Sequence, residues 1–274
     1  MSAEAFARAV ADLVADLPAG HVAAWAEVLA AARRPDEALE AALGDARPGY
    51  AVAGAARRLV AAWRTHAADL PGAAVALALR SAGEVRQRAD AHRPTLVVSG
   101  PSTASVPVRL TSSVIVEVIR AARERLLVVS FAAYGVAEVV RELAAAADRG
   151  VHLDLVLEDA HAPGGAGGKG AAGGLGGGAA SAFAALRDRA TFWHWPTERR
   201  PVAGSSRASL HAKLVAADAS VALISSANLT DRALSSNLEV GVVLRDPHVV
   251  SRLVAHFAAL MAPTASALAP FPVR

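Results

Sequence analysis

The sequence predicts an α/β domain, residues 94–274, behind an all-helical region, residues 1–93. Three observations predict it. Apolar residues recur at helix spacing between prolines as far as residue 93, and at Pro94 the pattern switches to short β-branched runs alternating with helical segments. The length of 274 residues, set against ~150 per domain, suffices for one or two buried cores.

Composition narrows the chemistry. Hydrophobic residues make up 54% of the chain, much of it alanine, which favours helix and contributes little per residue on burial. Cysteine is absent, which excludes a disulfide framework, zinc ribbons, cysteine nucleophiles and iron–sulfur clusters. The net charge of +3 is too small to demand a polyanionic partner. Lysine occurs only at Lys169 and Lys213; every other basic residue among the 28 is arginine. A lysine inside a motif of such a chain points to a need for a compact ammonium.

In the helical region Phe6, Val10, Leu13, Val14 and Leu17 form one apolar stripe, and Val52, Leu59 and Trp63 repeat it. Pro18, Pro35, Pro48 and Pro71 separate the helices. The pairs Arg33/Arg34 and Arg57/Arg58 read as solvated faces. Glu4, Arg8, Asp12 and Asp16 leave the first turns without the uncharged apolar core of a signal peptide, so a cytoplasmic location is expected. Leu253 to Val273 is free of charge, but Pro263, Pro270 and Pro272 argue against a membrane span.

The α/β domain opens with a strand at Leu96–Ser99, a helix over 113–123, a strand at Leu126–Phe131 and a helix over 136–147. Gly150 suits the left-handed position after that helix, and Val151–Leu157 is the next strand. Strands separated by such helices predict parallel crossovers. Residues 163–178 form a glycine-rich tract, expected as a flexible loop. Within it Gly165-x-Gly167-x-x-Gly170 matches a dinucleotide fingerprint only by composition, because it does not join a strand directly to a helix. A helix near 181–189, a strand at Thr191–Trp195 and a polar loop with Arg199, Arg200 and Arg207 follow. Leu210–Ala217 and Ser220–Ser225 form a hairpin turning at Asp218-Ala219. A helical turn over 229–234, a strand at Leu238–Leu244 and a helix over 247–262 complete the domain.

The chemistry concentrates in that hairpin. Residues i and i+2 of a strand share a face, so His211 and Lys213 project together. An imidazole can take a phosphoryl group covalently or protonate a leaving oxygen near neutral pH. A lysine supplies a point charge to non-bridging phosphate oxygens, and Ser226 and Asn228 donate hydrogen bonds to the same oxygens. This chemistry calls for no metal or other cofactor. Asp154, Glu158 and Asp159 could be drawn as a magnesium site, but the acidic-x-Lys partner such a site needs is missing. His194, between Trp193 and Trp195, reads as part of an aromatic cluster at the sheet edge.

His211-x-Lys213-x4-Asp218-x6-Ser225-Ser226-x-Asn228, followed by Glu239, resembles the signature of the phospholipase D superfamily. Ser225 stands where that family often has glycine. The resemblance covers residues 95 to 274 and implies a mixed sheet flanked by helices. It also implies catalytic roles for His211, Lys213, Asn228, Glu239 and Asp218, with Glu239 orienting the imidazole and Asp218 stabilising the hairpin. Ser226, Ser225 and Arg207 are assigned to substrate. Family members use two such histidines and this chain has one motif, which implies a symmetric homodimer. The helical front, Val98-Ser99-Gly100-Pro101, Arg109-Leu110-Thr111 and the single motif further resemble the phospholipase D-like proteins of bacterial DISARM anti-phage systems. That resemblance implies a nucleic-acid substrate and work beside other defence proteins, among them a helicase-like subunit and a DNA methyltransferase. The expected activity is metal-independent nuclease action. Two readings stand beside it: a phospholipid hydrolase or transferase, and a non-catalytic subunit that binds DNA or partners.

Overall fold

A computed structural model describes residues 3–49, 51–101, 103, 105–158, 178–203, 206–264 and 267–271. Its contacts divide the chain into two compact units, Met1–His92 and Arg93–Arg274.

The first unit contains α1 (Ala3–Asp16), α2 (Ala19–Ala31), α3 (Glu37–Ala46), α4 (Val52–His66) and α5 (Gly72–Ala91). Pro18 and Pro71 sit at the N-caps of α2 and α5, where a missing N–H costs nothing. Asp36 caps α3 by accepting from the Leu39 N–H at 3.0 Å. The predicted stripe of Phe6, Val10, Leu13 and Val14 is buried, in one core with Trp25, Leu59 and Trp63.

The second unit runs β1 (Thr95–Ser99), β2 (Arg109–Leu110), α6 (Thr111–Ala121), β3 (Arg125–Ser130), β4 (Ala133–Tyr134), α7 (Ala137–Asp148) and β5 (His152–Leu157). A 3₁₀ helix (Gly178–Leu186), β6 (Thr191–His194), a second 3₁₀ turn (Thr197–Arg199), β7 (Val202–Ala203), β8 (Ser206–Arg207), β9 (Leu214–Ala217) and β10 (Val221–Ser225) follow. The unit closes with β11 (Leu229–Thr230), α8 (Asp231–Ser235), β12 (Glu239–Leu244), α9 (Pro247–Met261) and β13 (Ala269–Pro270). Among the described residues the main sheet has the order β13-β6-β5-β3-β9-β10-β12-β1-β2. It is the mixed sheet between helices that the resemblance implied. One face packs against α6, α7, α8 and the first 3₁₀ helix around Ile119, Leu143, Leu155 and Phe183. The opposite face packs against α9 through Val250, Phe257 and Met261.

Parallel crossovers hold for β3, β5 and β6, whereas β3–β9, β9–β10, β10–β12 and β12–β1 are antiparallel. The helix expected at 181–189 is instead 3₁₀ from Gly178 to Leu186. Phe183, at φ -108° and ψ 18°, leaves helical geometry and divides the segment into two short turns, from which Ala179, Ala180, Phe183 and Leu186 are buried in the core. The strand expected from Leu210 starts at Leu214, because the Leu210 N–H is taken by the Glu158 carboxylate at 2.6 Å and not by a neighbouring strand. The glycine tract expected as a loop, 163–178, lies outside the described residues apart from Gly178. No helix among the described residues is long and apolar enough to cross a membrane.

Candidate active site

The antiparallel pairing brings four strand ends to one edge of the sheet. The C-terminal ends of β3 and β10 lie beside the N-terminal ends of β9 and β12. Phe131, His211, Lys213, Ser225 and Glu239 therefore meet although more than a hundred residues separate the first from the last. The Ser225 N–H donates to the Lys213 carbonyl at 3.2 Å, one step beyond the regular ladder. The Leu229 N–H donates to the Ala132 carbonyl at 3.1 Å and to Ser130 Oγ at 3.2 Å, which ties the Asn228 loop to the exit of β3.

His211 is exposed, and among the described residues no side chain bonds its imidazole nitrogens. Its ring lies 5.1 Å from the Phe131 ring, tilted by 56°. Lys213, only 8% exposed, donates from Nζ to the His211 carbonyl at 2.7 Å and stands 5.7 Å from the same Phe131 ring. One aromatic ring thus braces both motif residues on one side. Burial pulls the Lys213 ammonium below its usual 10.5, and the nearby Glu239 charge opposes that shift.

Ser226 Oγ donates to Glu239 Oε2 at 2.5 Å and accepts from the Val240 N–H at 3.1 Å. Asn237 Nδ2 reaches Glu239 Oε1 at 3.4 Å. The contact expected between Glu239 and His211 is therefore not made: Ser226 and Asn237 occupy the carboxylate. Asn228, a half-buried residue, has its Oδ1 buried without a partner among the described residues. Ser225 Oγ accepts from the Ala227 N–H at 3.0 Å. Its side chain faces Gly241, where an added Cβ would meet Ser225 Oγ at 3.1 Å and the Ile224 carbonyl at 2.9 Å. Serine is tolerated in a position the family often gives to glycine because Gly241 leaves it room.

Two of the predicted residues stand apart. Asp218 lies at the far end of β9, in a turn where Asp218 and Ala219 both have left-handed φ values of 50° and 54°. Its carboxylate accepts from the N–H groups of Arg123 (2.7 Å), Glu124 (2.8 Å) and Arg125 (2.9 Å) at the start of β3. Burial alone would raise its pKa, but these three donors and the Arg123 charge outweigh it and hold the carboxyl below the usual 3.8. Arg207 is exposed on β8, with its guanidinium within 3.3 Å of the Thr197 carbonyl and no contact to the other site residues.

Among the described residues no group of acidic or histidine side chains is placed to hold a metal ion. Asp154 binds Arg125 (2.8 Å) and Trp193 Nε1 (2.9 Å), Glu158 pairs with Arg200 at 2.6 Å, and Asp159 lies outside the described residues. Arg200, expected in a polar loop, is buried in that pair. His194 packs on Phe271 with ring centroids 4.6 Å apart, at the sheet edge. Phe131 and the Glu158–Arg200 pair are contributions that sequence reasoning missed. An aromatic at a strand exit gives no sign that it will meet a histidine 80 positions later.

Residues 115–261 match the family model described as cardiolipin synthase, PLD-like domain. No curated protein matches the chain. Among solved structures, the chain is similar to Nuc, a phospholipase D family member from Salmonella typhimurium, at 17% identity and TM-score 0.43, covering 66% of this chain and 100% of that one. It is similar to NucT from Helicobacter pylori at 12% identity and TM-score 0.47, covering 65% and 99%. For phosphatidylserine synthase from Haemophilus influenzae the figures are 13% and 0.42, covering 73% and 49%.

Proposed function

The chain belongs to the phospholipase D-like domain family, and on that premise we propose that it is a metal-independent phosphodiesterase, a nuclease acting through a phosphohistidine at His211. One observation carries the reading: an exposed imidazole with no hydrogen-bond partner among the described residues stands beside a buried lysine, with the half-buried Asn228 on the neighbouring loop.

In this scheme Lys213 and Asn228 bind the non-bridging oxygens. A neutral His211 nitrogen attacks phosphorus as the P–O bond to the leaving alcohol breaks, and a second imidazole gives that alkoxide a proton. Water, losing a proton to the second imidazole, then attacks phosphorus, breaks the P–N bond and restores both histidines. The chain carries one His-x-Lys, so the second imidazole is His211 of another copy, and the active form is a homodimer. Ser226 holds Glu239 in place, and Asp218 serves the hairpin. Arg207 and Arg232, both exposed and without a carboxylate partner among the described residues, favour a polyanionic substrate.

Residues 94–274 form the catalytic unit in this reading. The helical region 1–93 is assigned to docking of partners in a cytoplasmic DISARM defence assembly, a role that loss of co-purification on truncation would support and unchanged co-purification would refute. A phospholipid substrate is a second reading, favoured by Leu238 and Val240, which flank Glu239 and are 70% and 55% exposed.

The test is cleavage of labelled single- and double-stranded DNA, beside a fluorescent phospholipid, in excess EDTA, with wild type and His211→Ala in parallel. EDTA-resistant cutting of DNA that is lost in the variant supports the nuclease. Turnover of lipid alone moves the assignment to the second reading, and no turnover of either refutes catalysis by the isolated chain.

A further inference from the structure

We propose that Glu158 and Arg200 are positioning residues that hold the His211 backbone in register for attack. The inference rests on the reading of His211 as the reacting group. Neither side chain touches the imidazole, and each is 1% exposed.

Glu158 follows the last residue of β5. One of its oxygens takes Arg200 Nη2 at 2.6 Å. The other accepts the N–H of Leu210 at 2.6 Å, one residue before His211. The guanidinium spends its remaining donors on the same stretch of chain. Nε and Nη2 reach the Trp195 carbonyl at 2.8 and 2.5 Å, and Nη1 reaches the Ala208 carbonyl at 3.4 Å. Its Cζ also stands over the Trp195 ring, 5.6 Å from the centroid.

The need for such a device follows from the sheet. Residues 210–213 lie before the regular start of β9, so the segment that carries the imidazole lacks the ladder that fixes its neighbours. The Leu210 N–H would be an unpaired buried donor without the Glu158 carboxylate. On the other side Lys213 Nζ holds the His211 carbonyl at 2.7 Å. The backbone at the imidazole is thus gripped once on each side, by an anion before it and a cation after it. A buried ion pair is a costly way to gain stability, since apolar residues of equal volume do as well. A carboxylate with two acceptor oxygens can join Arg200 to Leu210, which no apolar pair can do.

The test compares Glu158→Gln and Arg200→Lys with wild type in the full chain. Glutamine offers one carbonyl oxygen to two donors, and lysine keeps the charge but loses the fork that binds Trp195 and Ala208. Three readouts are taken: kcat and KM on a labelled oligonucleotide, thermal unfolding, and the NMR titration of ¹³C-labelled His211, assigned through His211→Ala.

The expected result is a folded Glu158→Gln protein whose kcat falls by roughly tenfold to a hundredfold. KM should stay within about threefold, because Lys213 and Asn228 still bind phosphate, and the His211 titration midpoint should be displaced. Arg200→Lys should show the same pattern at smaller amplitude, and it decides the question should Glu158→Gln fail to fold. A folded variant with wild-type kcat and an unmoved His211 titration overturns the proposal. Should wild type cleave no phosphodiester, the titration still answers, and failure of the activity is read from the wild-type assay alone.

Discussion

Replacing Asp218 separates a structural role from a catalytic one within the signature motif. Its carboxylate takes three backbone N–H groups at 2.7–2.9 Å. A hydrogen bond to a charged acceptor is worth about 1.5–3 kcal/mol, and the partial exposure of Asp218 argues for the lower end. In Asp218→Asn the single carbonyl oxygen keeps two donors without charge assistance and turns an amide toward the third, a loss of about 2–3 kcal/mol. Asparagine also tolerates the left-handed backbone, so no strain is added. Alanine loses all three bonds and adds strain, about 5–6 kcal/mol in total.

For a unit of this size each kcal/mol moves Tm by about 2–4 °C, so asparagine should lower it by about 4–12 °C. Because the folded pKa lies below 3.8, the carboxylate stabilises the fold fully above that value. The advantage of wild type over Asp218→Asn should therefore be level from pH 7 to about 5 and shrink as pH falls below the unfolded value toward the lower folded one. Calorimetry across this range measures it. Cleavage per folded molecule should match wild type, since the turn lies at the opposite end of β9 from His211. A folded Asp218→Asn protein with unchanged Tm and more than about a tenfold loss of rate would refute the reasoning.

Gly241→Ala places a Cβ within 2.9 Å of the Ile224 carbonyl and 3.0 Å of Ser225 Cβ. It should cost about 1–3 kcal/mol in urea unfolding, with partial recovery in the Ser225→Gly double variant. The lowered proton affinity of Lys213 predicts an alkaline limb in the pH–rate profile that begins below 10.5. That limb should be absent in Lys213→Arg, whose guanidinium does not titrate there, so a limb unchanged in the variant assigns it to another group. Equimolar mixing and exchange of wild type with His211→Ala should leave about a quarter of the dimers competent, against about half the activity for independent chains.

Much of the site was legible because its signature is local. His211, Lys213, Ser225, Ser226 and Asn228 lie on one hairpin and its exit, and an i, i+2 argument nearly suffices to place the first two. What was not legible is whatever depends on strand order. Alternating strands and helices do not say that β9 lies antiparallel between β3 and β10, or that β12 returns between β10 and β1. Those placements bring Phe131 to His211 and the 123–125 backbone to Asp218. They also decide that Glu158, read in isolation as a metal candidate, and Arg200, read as a loop cation, neutralise one another. The 3₁₀ segment failed for a different reason: apolar periodicity in an alanine-rich stretch does not reveal that Phe183 leaves helical geometry.

The charges at the site also bear on which anion it suits. Lys213 is buried enough to lose proton affinity, and of its three donor hydrogens one is spent on the His211 carbonyl. Glu239 offsets that loss through its charge, but its oxygens are taken by Ser226 and Asn237, so it acts on Lys213 as a field and not as a hydrogen-bond partner. Two ammonium donors, beside the side chain of Asn228, therefore remain for oxygens arriving from outside. A phosphodiester has two non-bridging oxygens and a single negative charge. That matches one lysine and one amide, whereas a terminal phosphate near pH 7 would bring up to one further charge toward the Glu239 carboxylate. The balance of Lys213 against Glu239 thus favours an internal phosphodiester bond over a terminal monoester, on either a nucleic acid or a lipid.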